Sequence, residues 1–585
     1  MIRRLNWPMW LPILASAVSW GFLFWLFPPG DQDFPLHDDW AFAKSAFAFA
    51  SGQGIHYYGW SSMPQLGQWI WAWPFIKLFG PTFVTLRVST IVLSWFGLIA
   101  LYDILRREGC TSRVASFAVA TVAFNPVFFA LAGSFMTDVP ALSFMLIALA
   151  FFGKAAESGK VWPLLAATAA GLLAVTTRQN AILVAAAALP IMLKKSGERR
   201  AESKEPNSTE KLSSGSWLWT LGSCLLISVV GLVTDYWFAS RSDIIRLGPV
   251  IPSPARVLLL PYWIVHWLGL AALPILVLSF NARRARRFAI VLIVMLAAAL
   301  YWRQFSQLLP YPWLQMDGFV PESDDEKGLA GYFPYTGGVL GIWGVFSGAM
   351  YGRPIYFGTV ERLVVTVLGC IGGAALLGHM GRGRWRSSLV WLGLLQVPLF
   401  FAAPLIYDRY LLPLLPGACL VAVCMGCGGG LTPPPLSRNE RGEMVPAPRE
   451  RGGILPWLGV GLLAVYAGLS IALVHDCFEW NRARWALARE AWNGGPIPAQ
   501  AIEGGFEWDG WTSINLALPI QAAIPAGSLS LPYTRRNFPA ITGQYAISFK
   551  ILPGMSCKLS KAVRLWLLPG ERSIYLVESA RIADH

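Results

Sequence analysis

The chain has 585 residues, 55% of them hydrophobic and only 14% charged, where soluble globular proteins carry about 25% charged residues. Those figures exclude a soluble multidomain protein, a disordered chain, a coiled coil and a small disulfide scaffold. The net charge is +14, but the basic residues gather in short segments between apolar stretches, which orients membrane helices and argues against nucleic acid as a partner.

A bilayer is crossed by about 20 mostly apolar residues, and the sequence offers about thirteen such stretches. They lie near 8–28, 82–104, 114–133, 139–154, 161–176, 179–193, 217–238, 258–280, 288–302, 359–380, 386–404, 410–430 and 455–475. The expected fold is all-α and polytopic, followed by a small extracytoplasmic C-terminal domain with some β-structure. The first stretch lacks a small-residue cleavage site and reads as a signal anchor. The fourth, fifth, sixth and ninth are short, so tilted or broken helices are expected there.

With the N-terminus inside, alternation places Arg106, Arg107 and Arg113 in the cytoplasm, together with Lys194, Lys195, Arg199, Arg200, the arginines of 283–287 and those of 382–386. The expected membrane domain is 1–475, with outer loops 29–81 and 303–358 and polar cytoplasmic linkers 194–216 and 431–454. The expected C-terminal domain is 476–585. It opens on a helical-looking stretch, 478–492, and carries strand-like patches YAISFKI (545–551) and SIYLVE (573–578). No internal repeat of fixed period is visible.

Acidic residues collect on the opposite face: Asp31, Asp33, Asp38 and Asp39 after the first span, Asp138 after the third, and Glu322, Asp324, Asp325 and Glu326 in 303–358. Asp38 and Asp39 stand together in PLHDDWAFAKSAFAFASGQG. Adjacent side chains on a helix diverge by about 100°, so one carboxylate can meet a reacting hydroxyl while the other caps a helix or touches a metal. The structural alternative is that Asp39 only caps the helix beginning at Trp40. Asp138, in GSFMTDVPALSFML, lies close to hydrocarbon, where an ionisable residue is costly and therefore a functional candidate; its alternative is a helix N-cap ahead of Pro140.

His37, His56 and His266 lack a metal-ligand spacing, and hydrogen-bonded or surface histidine is the expectation for each. Cys424 and Cys427 form a CxxC without a redox context. Cys477 and Cys557 both fall outside, where a disulfide between them would tie the tail to the last span. Most of the 28 tryptophans suit interfacial belts; Trp40, Trp60, Trp69, Trp71 and Trp73 crowd the acidic loop and are candidate donor contacts.

The ordered set PLHDDWAFAKSAFAFASGQG, MPQLGQWIWAWPFIKLFGPTFVTLRVST and MTDVPALSFMLIALAFF resembles the family 39 glycosyltransferases of the GT-C type, related to protein O-mannosyltransferases and lipid A aminoarabinose transferases. The resemblance is good over about the first 195 residues, weak across 217–400, and returns at YDRYLLPLLP (407–416) and AIEGGFEWDGW (501–511). It implies transfer of a sugar from a polyprenyl-phosphate donor, with inversion, to an acceptor hydroxyl outside a bacterial-type inner membrane. Asp38 is then the leading general base, and Asp39 and Asp138 organise the site or help to hold a divalent metal. Where aminoarabinose transferases carry proline and arginine after the acidic pair, this chain has Trp40 and Ala41, so a phosphate contact must come from elsewhere.

A lipid-phosphate leaving group develops negative charge and needs preorganised donors, a task suited to the planar guanidinium of arginine. Arg409 in YDRYLLP and Arg178 in TTRQN fall at the expected outer surface, against the positive-inside trend, and are the main phosphate candidates; snorkelling is the alternative for each. Lys77 and Arg87, which flank the KLFG stretch, are weaker candidates. A transporter or flippase of a lipid-linked saccharide is the competing function. It would place ionisable residues near the bilayer midplane, commonly in repeated halves. Neither the transferred sugar nor the acceptor is legible.

Overall fold

A computed structural model describes residues 7–191, 214–244, 251–252, 254–279, 285–306, 359–379, 387–403, 408–426, 436–438, 444–446, 455–493, 497–513, 538, 540–551 and 553–578. The acidic cluster 322–326, nearly all of the 303–358 loop and most of linker 194–216 lie outside them. So do the arginines at 382, 384 and 386.

Helix α1 (Trp7–Leu26) contains no charged residue. Its exposed Trp7, Leu11, Leu14, Val18, Phe22 and Trp25 form one stripe, while Ile13, Ser16, Trp20 and Leu23 are buried on the other. That is the division expected of a helix with lipid on one side and protein on the other. After α2 (Asp39–Ala50) and α3 (Leu66–Phe79), helix α4 (Phe83–Arg107) starts where the Thr82 side chain accepts from the Thr85 N–H at 3.1 Å. It ends with Arg106 and Arg107 in its last turn, where cations complement the helix dipole.

The third expected span is broken. Helices α5 (Ser112–Ala123) and α6 (Pro126–Ala132) meet at 69°. Asn125 caps α6 through the Val127 and Phe128 N–H groups, and Pro126 occupies the first helical position. The bend frees the Phe124 carbonyl, which accepts from Ser470 Oγ at 2.9 Å. Helices α7 (Asp138–Ser158) and α8 (Val161–Thr177) then pack closely against each other, and α7 packs on α4. In place of a sixth long helix the chain makes a 3₁₀ turn (Gln179–Ile182) and the short α9 (Leu183–Ala187).

The later helices are α10 (Ser214–Ala239), α11 (Pro254–Ala271), α12 (Leu273–Leu278), α13 (Ala285–Ser306), α14 (Thr359–His379), α15 (Ser388–Ala402), α16 (Leu415–Gly426), α17 (Leu455–Asn493) and α18 (Phe506–Ser513). Among the described residues five helices are long and apolar enough to cross a membrane singly, or six if α5 and α6 count as one broken span. The protein is therefore a mostly helical, multi-pass membrane protein. Linker 431–454 contains a small antiparallel pair, β1 (Leu436–Arg438) and β2 (Met444–Pro446).

The last span does not stop at 475. Helix α17 runs unbroken for 39 residues, about 58 Å at 1.5 Å per residue, roughly twice the hydrocarbon thickness. Its first half exposes Trp457, Leu458, Val460 and Val465, and its second half buries Asp476, Phe478, Trp480, Arg484 and Leu487. The tail adds a four-stranded sheet in the order β3-β4-β6-β5. Its strands are β3 (Ile502–Glu503), β4 (Tyr545–Ser548), β5 (Ser556–Arg564) and β6 (Glu571–Glu578). β3 and β4 are parallel and the other pairs antiparallel.

Both strand-like patches of the sequence appear as β4 and β6; β5, set between turns, carried no such pattern. Asp476 fastens the sheet to α17 by accepting from the Trp566 and Leu567 N–H groups at 2.7 and 3.1 Å. One hydrophobic core runs from α1 to tail residues Trp508, Ile547 and Leu576.

A disulfide between Cys477 and Cys557, which the sequence left open, is not formed. Cys477 is buried within α17, its sulfur accepting from Asn481, while Cys557 is exposed on β5 with its sulfur toward the Leu559 carbonyl. His56 is exposed on the Gln53 carbonyl and His266 is buried on that of Thr366, as expected of hydrogen-bonded histidines. Cys424 lies in α16, and Cys427 is outside the described residues.

Candidate active site

Asp38 and Asp39 part at the start of α2. Asp38 takes the N-cap position, but its side chain caps nothing. Its Oδ1 accepts from Trp60 Nε1–H at 2.8 Å, and its Oδ2 lies 3.4 Å from an Arg409 guanidinium nitrogen. Asp39 is one residue into the helix and 1% exposed. Its oxygens accept from the Leu36 N–H at 2.5 Å and the Phe135 N–H at 3.2 Å. That carboxylate thus staples the first outer loop to the short second one. Burial pushes its pKa up to about 7 despite the opposing Arg87 charge.

Asp138 is the first residue of α7, and Arg178 follows the last residue of α8. Close packing of the two helices brings these ends together, and Arg178 donates to Asp138 Oδ1. Arg409 sits in a 3₁₀ turn, Asp408–Leu414, with its Nε 3.8 Å from Asp138 Oδ2. Tyr410 is shared by both cations, the Arg178 and Arg409 guanidinium carbons lying 5.2 and 5.6 Å from its ring centre. A small, partly open cleft is lined by Asp138, Arg178, Asn180, Arg409 and Tyr410, with Ala141, Met145 and Pro413 as apolar wall. Asn180 is itself fixed by a 3.0 Å bond to Gln396.

Four of the candidates from the sequence, Asp38, Asp138, Arg178 and Arg409, therefore share one site. The others do not join it. Trp40 is fully buried, with its ring against Trp60, Phe506 and Phe538, because α18 packs on α2 at that point. Arg87 is fully buried between the Phe34 and Phe478 rings and donates to the Gln32 and Phe34 carbonyls; it shapes the first outer loop. Lys77 is exposed in the last turn of α3.

A metal shared by Asp39 and Asp138 does not suit these donors. Both Asp39 oxygens already accept backbone N–H groups, and Asp138 faces two guanidinium groups, which disfavour a further cation. Among the described residues no group of three His, Cys, Asp or Glu side chains converges.

The tail supplies residues that the sequence did not single out. Glu507 on α18 accepts the His37 N–H at 3.1 Å and pairs with Arg484 of α17 at 3.0 Å. Arg484 is also bonded to Asn481 at 2.5 Å and to the Gly504 carbonyl at 3.1 Å. His37 has φ of 55°, a left-handed conformation costing about 1–2 kcal/mol for a residue with a Cβ, so Glu507 holds a strained residue beside Asp38. Burial lowers the His37 pKa, with the Glu507 charge opposing. Lys44 of α2 donates to the Trp511 carbonyl at 2.7 Å, and burial lowers its pKa to about 8. Gly510 lies so close that a Cβ would overlap the Trp40 ring. EGGFEWDGW showed that a motif exists, but nothing local reveals that Glu507 meets an arginine 23 positions away.

Residues 62–209 match the family model described as dolichyl-phosphate-mannose-protein mannosyltransferase. For that segment the glycosyltransferase resemblance is established. It includes Asp138 and Arg178 and covers about a quarter of the chain. None of the curated protein sequences matches. Solved structures similar to the chain include ArnT from Cupriavidus metallidurans bound to undecaprenyl phosphate, at 13% identity and a TM-score of 0.41, covering 98% of this chain and 99% of that one. The apo state of the same ArnT aligns at 14% identity and a TM-score of 0.37, covering 98% of each chain.

Proposed function

We propose that the chain transfers a sugar from a polyprenyl-phosphate donor to an acceptor hydroxyl at the outer ends of its membrane helices. The observation that carries this reading is the meeting of two guanidiniums, Arg178 and Arg409, with Asp138 at a cleft with an apolar wall, and of Arg409 with a second carboxylate, Asp38, beside it. Arg409 and Arg178 would bind the donor phosphate and stabilise the charge left on it as the sugar departs. A phosphate leaving group needs no protonating acid. The acceptor proton must go to a base, and Asp38 is the more accessible carboxylate, its side chain 23% exposed against 4% for Asp138. A single displacement from the face opposite the phosphate inverts the anomeric carbon. Asp138 orders both arginines.

The same charges lie at helix ends rather than mid-span, Asp138 opening α7 and Arg178 closing α8, which favours surface transfer over transport. The site would then lie on the extracytoplasmic side of a bacterial-type inner membrane, a reading supported by the basic residues gathered between the apolar stretches. Lipid profiling of cells lacking the protein is expected to show an accumulated polyprenyl-phosphate sugar or an acceptor missing one residue. An unchanged profile, with Asp38→Asn and Asp138→Asn fully functional, would overturn the proposal.

A further inference from the structure

We propose that Trp60 is a positioning residue for Asp38, its indole N–H fixing one carboxylate oxygen so that the other is presented to the acceptor. The inference rests on the proposed role of Asp38 as general base and assigns to Trp60 a task other than contact with the donor.

Among the tryptophans of the first outer loop, Trp60 is set apart by what its nitrogen touches. Trp71 donates to the Ser89 carbonyl at 2.8 Å, and the buried Trp40 and Trp69 nitrogens have no hydrogen-bond partner among the described residues. Trp60 donates at 2.8 Å to Asp38 Oδ1. An indole N–H is a donor only, so the bond has one polarity and leaves the Asp38 charge in place. Asp38 stands at a helix N-cap without a capping bond, so its side-chain rotation is set by this bond and by the looser Arg409 contact at 3.4 Å. A donor phosphate drawn to Arg409 competes for the second contact but not for the first. Trp60 then holds the carboxylate while the arginine serves the phosphate.

The indole is itself held. Its ring lies 5.0 Å from Phe506, 5.9 Å from Phe538 and 6.1 Å from Trp40, centre to centre. Two of these three rings belong to the tail, so the tail aims the candidate base through Trp60.

The test uses the purified full chain with Trp60→Phe and Trp60→His. Both shrink the ring, and only histidine keeps a ring N–H. Two quantities are read: binding of undecaprenyl phosphate, and turnover of the polyprenyl-phosphate sugar isolated from cells lacking the protein. A hydrogen bond to a charged group carries enough energy for a loss of about ten-fold or more in kcat. The expected result is that loss in Trp60→Phe, partial recovery in Trp60→His, and undecaprenyl phosphate binding within about two-fold of the parent in both. Equal kcat losses in the two variants, including failure of both to fold, would overturn the inference. Parent-level kcat in Trp60→Phe, or weakened undecaprenyl phosphate binding, would do the same. Asp38→Asn separates the two levels. If it keeps full turnover, the general-base reading has failed; if it is inactive while Trp60→Phe is not, only the positioning role has.

Discussion

Two charge clusters lie close together, and they are built to opposite specifications. In the inner one, Arg484 and Glu507 have side chains 1% and 2% exposed and meet at 3.0 Å, with Asn481, Gly504 and the His37 N–H as further hydrogen-bond partners. At the cleft, Arg409 stands 3.4 Å from Asp38 and 3.8 Å from Asp138, and the Asp138 Oδ2 makes no hydrogen bond among the described residues. A buried pair is held by close geometry and by additional hydrogen bonds to its members. The longer Arg409 contacts contrast with this, and on the proposed reading they leave that guanidinium able to meet a donor phosphate. The inner cluster thus suits a role in folding and, on the proposed reading, the cleft a role in chemistry, although one residue, His37, joins them.

Substitutions that separate chemistry from folding test this contrast most strongly. Asp38→Asn should lower turnover by about 10²–10⁴-fold while the melting temperature of the detergent-solubilised chain stays at its parent value. Glu507→Ala should act first on stability. It strands Arg484 in a buried site, at a cost of about 3–5 kcal/mol, read as a large fall in melting temperature. Gly510→Ala pushes a methyl group into the Trp40 ring and should cost about 1–3 kcal/mol, a smaller fall by the same measurement. Arg409→Lys keeps the charge but loses the planar fork. It should weaken undecaprenyl phosphate binding by about ten-fold, the lower end of what a charged hydrogen bond contributes, with little change in melting temperature.

The smallest effect concerns Asp39, the staple beside the cleft. Its folded-state pKa of about 7 stands above the ordinary carboxylate value. Its contribution to stability is thus complete below that ordinary value and is lost as pH rises through about 7. Melting temperature should therefore rise between pH 8 and pH 5, and Asp39→Asn should flatten that rise.

What the sequence disclosed and what it hid follow the range of the forces involved. Apolar length fixed most helix positions, because bilayer thickness acts on each segment alone. The bend at Asn125-Pro126 was locally encoded as a cap followed by proline, yet unbroken apolar character masked it. Asp38, Asp138, Arg178 and Arg409 were legible because each is a charge set against the topological trend. Trp40 and Arg87 misled for one reason: Trp40 sits in the acidic loop and Arg87 in the first turns of α4 beside it, but part of their surroundings comes from α17 and α18, more than 380 positions later. The pairing of Glu507 with Arg484, and of Trp60 with Asp38, depends on chain paths that no local pattern records.

Continuity of α17 gives the tail a rotational phase as well as a height. Each residue turns a helix by about 100°, and no break lies between the membrane-facing Trp457 and the buried Arg484. Inserting or deleting a single residue between Trp457 and Asp476 would turn Asp476 and Arg484 together relative to the membrane half, away from the sheet and from Glu507 at once. A change of that kind in a surface loop is absorbed locally. Here it would be carried along the rod to both attachments, so this stretch should tolerate substitution far better than any change of length.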